Sequence, residues 1–324
     1  MNSLRKAIII SVVLCMGMSM ANAAEETKSP ELSLKANLEL FYENSKNVGG
    51  TGDDDKFKSN QFYLDFGAKF ENNLSAKLKL DAADIESRDG TTVSAKAVEE
   101  ANFTAKHIGD SLLTLIFGKD EMPFGLDYDK YLNDSIAHQF EIDKVWGFHG
   151  IVDIPYVGNI AAAAYQHRHT DDDETLATNE TGDNYTAKLT IDKLIKNLTV
   201  KISGASESYS DTETTDDDTG VATVEAMEDE TRWGAGAVYK VKGVGNINAE
   251  YISFSSLKGY PGYDPSLVTL GVECNAIEKT AIWGRLEIIE EDTTDDVETE
   301  FWSAGIKYSP TKNYELMVEY SNFN

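Results

Sequence analysis

Leu32-Ser33-Leu34-Lys35-Ala36-Asn37-Leu38-Glu39-Leu40-Phe41-Tyr42-Glu43 decides the fold class. Leu32, Leu34, Ala36, Leu38, Leu40 and Tyr42 fall on one face of an extended chain, with Ser33, Lys35, Asn37 and Glu39 on the other. Successive side chains of a strand point to opposite sides, so a period of two reads as strand and not as helix. The alternation returns along the chain. In Gln61–Phe70, Phe62, Leu64, Phe66, Ala68 and Phe70 oppose Gln61, Tyr63, Asp65 and Lys69. Tyr185, Ala187, Leu189 and Ile191 oppose Thr186, Lys188, Thr190 and Asp192; Trp302, Ala304, Ile306 and Tyr308 oppose Ser303 and Lys307.

The connections between these segments alternate in length. Short ones are Glu71–Asn73, Gly109–Ser111, Glu278–Thr280 and Thr311–Asn313; long, acidic, Gly- or Thr-rich ones are Asn44–Lys56, Thr170–Asp183, Asp211–Glu230 and Thr293–Thr299. Short turns on one rim and long polar loops on the other mark an outer-membrane barrel. The expected fold is all-β: an antiparallel transmembrane β-barrel of about 16 strands, since closed bacterial barrels take an even number. Fifteen segments can be counted, and Phe323 falls off the outward register of Leu316, Val318 and Tyr320, which puts a closing strand in doubt. A soluble sandwich or β-solenoid would alternate too, but a sandwich calls for more Pro than the 6 present and a less regular long–short order.

Met1–Ala23 reads as a secretory signal peptide: Arg5 and Lys6, a charge-free apolar run over Ala7–Met20, then Ala21-Asn22-Ala23. The run is shorter than a membrane span of roughly 20 residues, and Leu14 before Cys15 is too bulky for a lipoprotein site. The expected organisation is a leader over 1–23 and one barrel over 24–324. Losing Arg5 and Lys6 takes the net charge from −27 to −29. A chain this acidic lacks the Lys/Arg excess that phosphate neutralisation demands, so nucleic acid is excluded as a partner. Cys274 alone remains beyond the leader, leaving neither an internal disulfide nor a Cys-based zinc site. Past residue 24 no run is long enough for a transmembrane helix, so a membrane position requires a closed barrel.

Phe117-Gly118-Lys119-Asp120-Glu121-Met122-Pro123-Phe124-Gly125-Leu126, followed by Asp127–Asp143 and Trp146-Gly147-Phe148, resembles the siderophore-porin and phosphate-selective-porin groups of Gram-negative porins. The resemblance implies a loop folded inward after the fifth strand to narrow a channel. Pro123 lacks an N–H and Gly125 tolerates positive φ, which suits a chain leaving a strand sharply. The constriction loop would then carry Asp127, Asp129, Lys130, Asp134, Glu141 and Asp143. An external loop is the alternative.

Parity places Lys77, Lys79, Lys106, Arg168, Lys188, Arg232, Arg285 and Glu287 on the pore wall, with carboxylates such as Asp65, Asp153, Glu250 and Glu319 among them. The wall is close to neutral and hydrated, and the negative charge sits in the loops. His167 and His169 share a strand face with Ala161, Ala163 and Tyr165, a face that looks lipid-directed and gives no reason for a metal site. Asp216-Asp217-Asp218-Thr219-Gly220 does not match the EF-hand spacing. No cofactor and no enzyme motif is expected. The expected function is an outer-membrane channel for passive diffusion of small hydrophilic solutes or ions, with modest cation preference. A substrate-specific channel for an iron chelate or oxyanion, and a non-conducting surface or adhesin barrel, are the alternatives. Outer-membrane lipid is the expected surrounding, and a homo-oligomer such as a trimer stays open.

Overall fold

The computed structural model describes residues 30–45, 54–81, 98–108, 111–126, 136–140, 142, 145–166, 184–209, 212–215, 222–291, 297–311 and 314–323. The chain divides into two compact units, residues 1–106 and 107–324.

The first unit holds β1 (Glu31–Ser45), β2 (Asp54–Lys69), β3 (Leu74–Asp81) and β4 (Val98–Ala105). In β1 and β2 the register sets Leu34 opposite Phe66 and Ala36 opposite Leu64, so the apolar sets share one face. The ladder shifts between Glu39 and Leu40, a bulge that lets the strand bend. Asn72 and Asn73 turn the chain from β2 to β3 with φ of 59° and 61°. Two successive left-handed residues make a tight hairpin, and Asn adopts that conformation more readily than most residues.

The second unit holds β5 (Leu113–Asp120), a short 3-10 helix (Ala137–Phe140), β6 (Val145–Ile154), β7 (Gly158–Gln166), β8 (Asn184–Ile191) and β9 (Leu198–Glu207). β10 (Thr212–Thr215) and β11 (Ala222–Glu225) follow, then β12 (Glu230–Val241), β13 (Gly245–Ser255) and β14 (Ser266–Ile277). β15 (Thr280–Glu291), β16 (Val297–Thr311) and β17 (Tyr314–Phe323) complete it. Among the described residues, fifteen strands form one antiparallel sheet in chain order, and β10 and β11 pair with each other. The stretch Asp211–Glu230, read from sequence as loop, therefore contains a hairpin. Its strands, Thr-Glu-Thr-Thr and Ala-Thr-Val-Glu, are rich in β-branched residues, which favour extended backbone.

Two faces are separated sharply in the second unit. One exposes Trp233 (52%), Val272 (50%), Ile306 (51%) and other large apolar side chains. The opposite face carries Thr186, Ser203, Glu207, Glu230, Arg232, Thr269, Arg285 and Glu287, all buried. Exposed aromatics lie toward the long-loop ends of the strands (Trp146, Tyr185, Trp233, Trp302) and toward the short-turn ends (Tyr239, Tyr308). Aromatic rings gather at the two polar–apolar boundaries of a bilayer, so an apolar band between two such rows suits a lipid-facing surface.

Candidate functional site

The polar face of the second unit owes its burial to the segment that follows β5. Gly125, with φ 64°, makes the left-handed step that turns this segment. Phe124 is fully buried, Met122 and Leu126 nearly so. Farther on, Ile136, Ala137 and Ile142 are buried too, and Met122 N–H donates to the Ile142 carbonyl at 2.7 Å. Met122, Phe124, Ile136, Ala137 and Ile142 join Val145, Ala163, Tyr165, Ile252, Phe254, Leu267 and Phe301 in one apolar cluster. At β12 the loop packs directly on the backbone: a Cβ added to Gly236 would stand 2.5 Å from Leu126 Cγ. Glycine there leaves the room the loop needs.

Polar side chains of four strands hold this segment by its backbone. Thr186 Oγ1 donates to the Pro123 carbonyl at 2.8 Å, Lys188 Nζ to that of Phe124 at 3.3 Å, and Lys201 Nζ to that of Leu126 at 2.8 Å. Ser203 Oγ accepts from Gly125 N–H at 3.2 Å. Glu287 accepts both Ile136 N–H (3.1 Å) and Ala137 N–H (3.2 Å), and Arg232 Nη1 donates to the Phe140 carbonyl at 3.0 Å. Charge-assisted bonds are stronger than neutral ones and more so away from water.

The charges that hold the loop are themselves paired. Arg232 donates to Glu207 and lies 3.5 Å from Glu230 through Nε, while its guanidinium stands over the Phe124 ring at 5.1 Å. Tyr165 donates to Glu207 at 2.7 Å. Tyr209, beyond the end of β9, reaches Glu207 and Glu230 at 3.4 Å each. Burial, and then the charges of Glu230 and Glu207, push its phenol well above the ordinary value, so it stays a donor. Arg285 Nε sits 3.2 Å from Glu287, which also accepts from Thr269.

Of the wall residues, Lys188, Arg232, Arg285 and Glu287 all lie on this face. The expectation of a hydrated wall fails for the last three, which are 8%, 4% and 0% exposed. Arg232 and Glu287 bond the loop in place of facing water, and Arg285 lies beside Glu287 with its guanidinium 5.0 Å over the Phe301 ring. Lys77 and Lys79 of β3, in the first unit, both pair with Glu100 of β4, and Lys79 also stands 4.0 Å over the Tyr63 ring. Lys106, just past β4, is exposed. Arg168, His167 and His169 lie outside the described residues, as do Asp127, Asp129, Lys130, Asp134, Glu141 and Asp143.

The lipid-facing assignment of Ala161, Ala163 and Tyr165 is wrong. All three are buried on the loop side, with Ile160 exposed on the other. The reason is the apolar loop: where it packs, the inner face must be apolar too. Sequence reading missed Glu207, Glu230, Tyr165 and Tyr209, and also Thr186 and Ser203, as parts of the loop seat. Continuing the inward parity of Lys201 to Ser203 and Glu207, and of Lys188 to Thr186, would have found three of them. Among the described residues, no group of three or more His, Cys, Asp or Glu is placed to hold a metal.

The sequence matches the family model described as Gram-negative porin over residues 11–324. The chain belongs to the Gram-negative porins. This porin has the fold of solved outer-membrane proteins at low identity. OmpT of Vibrio cholerae, in its trimer form, is 12% identical, with 92% of this chain and 89% of that chain covered and a TM-score of 0.61. The outer-membrane channel DcaP of Acinetobacter baumannii is 13% identical, with 93% of each chain covered and a TM-score of 0.58. An anion-selective porin from Comamonas acidovorans is 12% identical, with 91% and 90% covered and a TM-score of 0.58. No curated protein matches the sequence. The fold is the all-β porin barrel class, and the chain is an outer-membrane channel protein.

Proposed function

We propose that this porin passes small hydrophilic solutes and ions by passive diffusion, with a modest preference for cations, through a lumen narrowed by the loop after β5. The supporting observation is the seating of that loop, by its backbone, on the polar side chains of β8, β9, β12 and β15. A loop fixed there sets a size limit without any moving part. In this reading Asp127, Asp129, Lys130, Asp134, Glu141 and Asp143 line the constriction, and their excess of negative charge favours cations in a low-dielectric surround. Lys77, Lys79, Lys106 and Lys188 are wall cations, while Arg232 and Glu287 hold the loop and Arg285 braces Glu287. The acidic long loops, Asp211–Glu230 among them, face outward and form a negative vestibule. Residues 1–23 are a cleaved export signal and 24–324 a single barrel. The trimer form of OmpT makes a trimer the assembly to test first.

Planar-bilayer recording of the purified protein tests the proposal. Deleting Tyr128–Phe140 is expected to raise unitary conductance; unchanged conductance would remove the constriction role. The reversal potential should show cation preference, stronger in dilute salt, because the screening length falls from about 10 Å at 0.1 M to about 3 Å at 1 M. Anion preference at low salt would overturn the charge argument.

A further inference from the structure

Two short turns of the second unit carry a charge opposite to that of the chain. The turn after β8 (Asp192–Asn197) and the turn after β12 (Lys242–Val244) hold Lys193, Lys196 and Lys242 against one carboxylate, Asp192. The chain as a whole has 56 acidic against 29 basic side chains. All three lysines are exposed, and among the described residues none has an ion-pair partner. Conduction through the lumen makes no use of them.

Backbone bonds join these turns into one surface. Asp192 and Lys193 N–H both donate to the Val157 carbonyl in the turn between β6 and β7 (3.1 and 3.2 Å), and Lys240 N–H donates to the Asn197 carbonyl (2.8 Å). Lys196 therefore stands one residue, and Lys242 two, from a shared hydrogen bond. Apolar side chains lie among the charges: Leu194 is 61% exposed, Ile195 58% and Tyr156 85%. Tyr239, which faces opposite Leu198 in the β9–β12 ladder, belongs to the exposed aromatic row at the short-turn ends. At about 3.3 Å per residue, Lys242 lies within about 10 Å of that row on its polar side. Aromatic rows mark the headgroup level of a bilayer, so the lysines reach the depth of lipid phosphates.

We propose that these turns bind an anionic phospholipid, its phosphate among Lys193, Lys196 and Lys242 and its acyl chains against Leu194, Ile195 and the apolar strand face above them. Lysine ammoniums take phosphate oxygens as mobile point charges, and each one near an anionic lipid surface adds to the attraction. A zwitterionic lipid brings its own cation to the phosphate and gains less. A soluble anionic polymer would use the lysines and leave Leu194 and Ile195 in water, which favours the lipid. With the acidic long loops facing outward, as proposed above, the turns meet the inner leaflet. Binding read in detergent does not depend on that orientation, so the two readings fail separately.

Native mass spectrometry of the purified protein in detergent tests this, with phosphatidylglycerol and phosphatidylcholine of the same acyl chains in equal amounts. Phosphatidylglycerol should be retained about tenfold over phosphatidylcholine. Replacing Lys193, Lys196 and Lys242 together by Gln should bring the ratio to about one, and each single replacement should lower it by up to about fivefold. Leu194→Ser with Ile195→Ser should weaken both lipids and keep the ratio. Heat-modifiable gel mobility reports that each variant is folded. Equal retention of the two lipids by the wild type, or an unchanged ratio in the triple variant, overturns the proposal. So does displacement of phosphatidylglycerol by inorganic phosphate at matched ionic strength, which would mean that the turns take a phosphate group and not a lipid. Cosedimentation with purified peptidoglycan that the triple variant loses, without any lipid preference, would assign the lysines to that polymer and overturn the lipid.

Discussion

Arg285 with Glu287, and Lys77 and Lys79 with Glu100, look alike on paper: basic and acidic side chains on the polar face of strands. In the first set both side chains are 0% exposed; in the second Lys77 is 46% and Glu100 21% exposed. The difference is the loop. Its amides occupy both Glu287 oxygens, and Arg285 is held between Glu287 and the Phe301 ring. Beneath the loop, charge is structural and costly to disturb. At β3 and β4 water screens the same chemistry into a weak contact.

The largest expected effect comes from Glu287→Ala. It takes the buried counter-charge from Arg285 and the acceptor from two loop amides, and unfolding in detergent should show a loss of about 3–5 kcal/mol. Replacing Arg285 and Glu287 together by Leu should regain most of it, since no lone charge is then buried. A single substitution no worse than the double would break the comparison. Next, Gly236→Val should cost about 1–3 kcal/mol by overpacking against Leu126, and Leu126→Ala in that background should return part of the loss. Full stability of Gly236→Val would mean the loop yields freely. The smallest effect is Glu100→Gln, under about 1 kcal/mol and smaller still in high salt. A cost equal to that of Glu287→Ala would show that exposure is not what separates the two sets.

Strand faces were legible wherever one face meets lipid and the other carries polar groups, as in Tyr185–Asp192 and Trp302–Tyr308. The turn after β5 was legible from Pro123 and Gly125. β7 was not, because Ile160 and Ala161–Ala164 are apolar on both faces, one for lipid and one for the loop, and alternation carries no sign there. Nor was the ion-pair seat. Glu230 closes the acidic stretch Asp211–Glu230 and reads there as one more loop carboxylate, while in the fold it shares Arg232 with Glu207. Burial of Arg232, Arg285 and Glu287 depends on a loop more than 90 residues away in sequence from the first of them, which no local pattern reports.

The wall grips the loop with side chains, and the loop answers with carbonyls and amides of Pro123, Phe124, Gly125, Leu126, Ile136, Ala137 and Phe140. Every residue but proline offers both groups. The attachment is therefore largely indifferent to which side chains the loop carries. Fastening is written in one set of strands and the loop's own side chains in another segment, so that segment can drift in sequence, or be redrawn by a protein engineer, while the fastening stays put. A channel arranged in this way has a cheap route to new tastes.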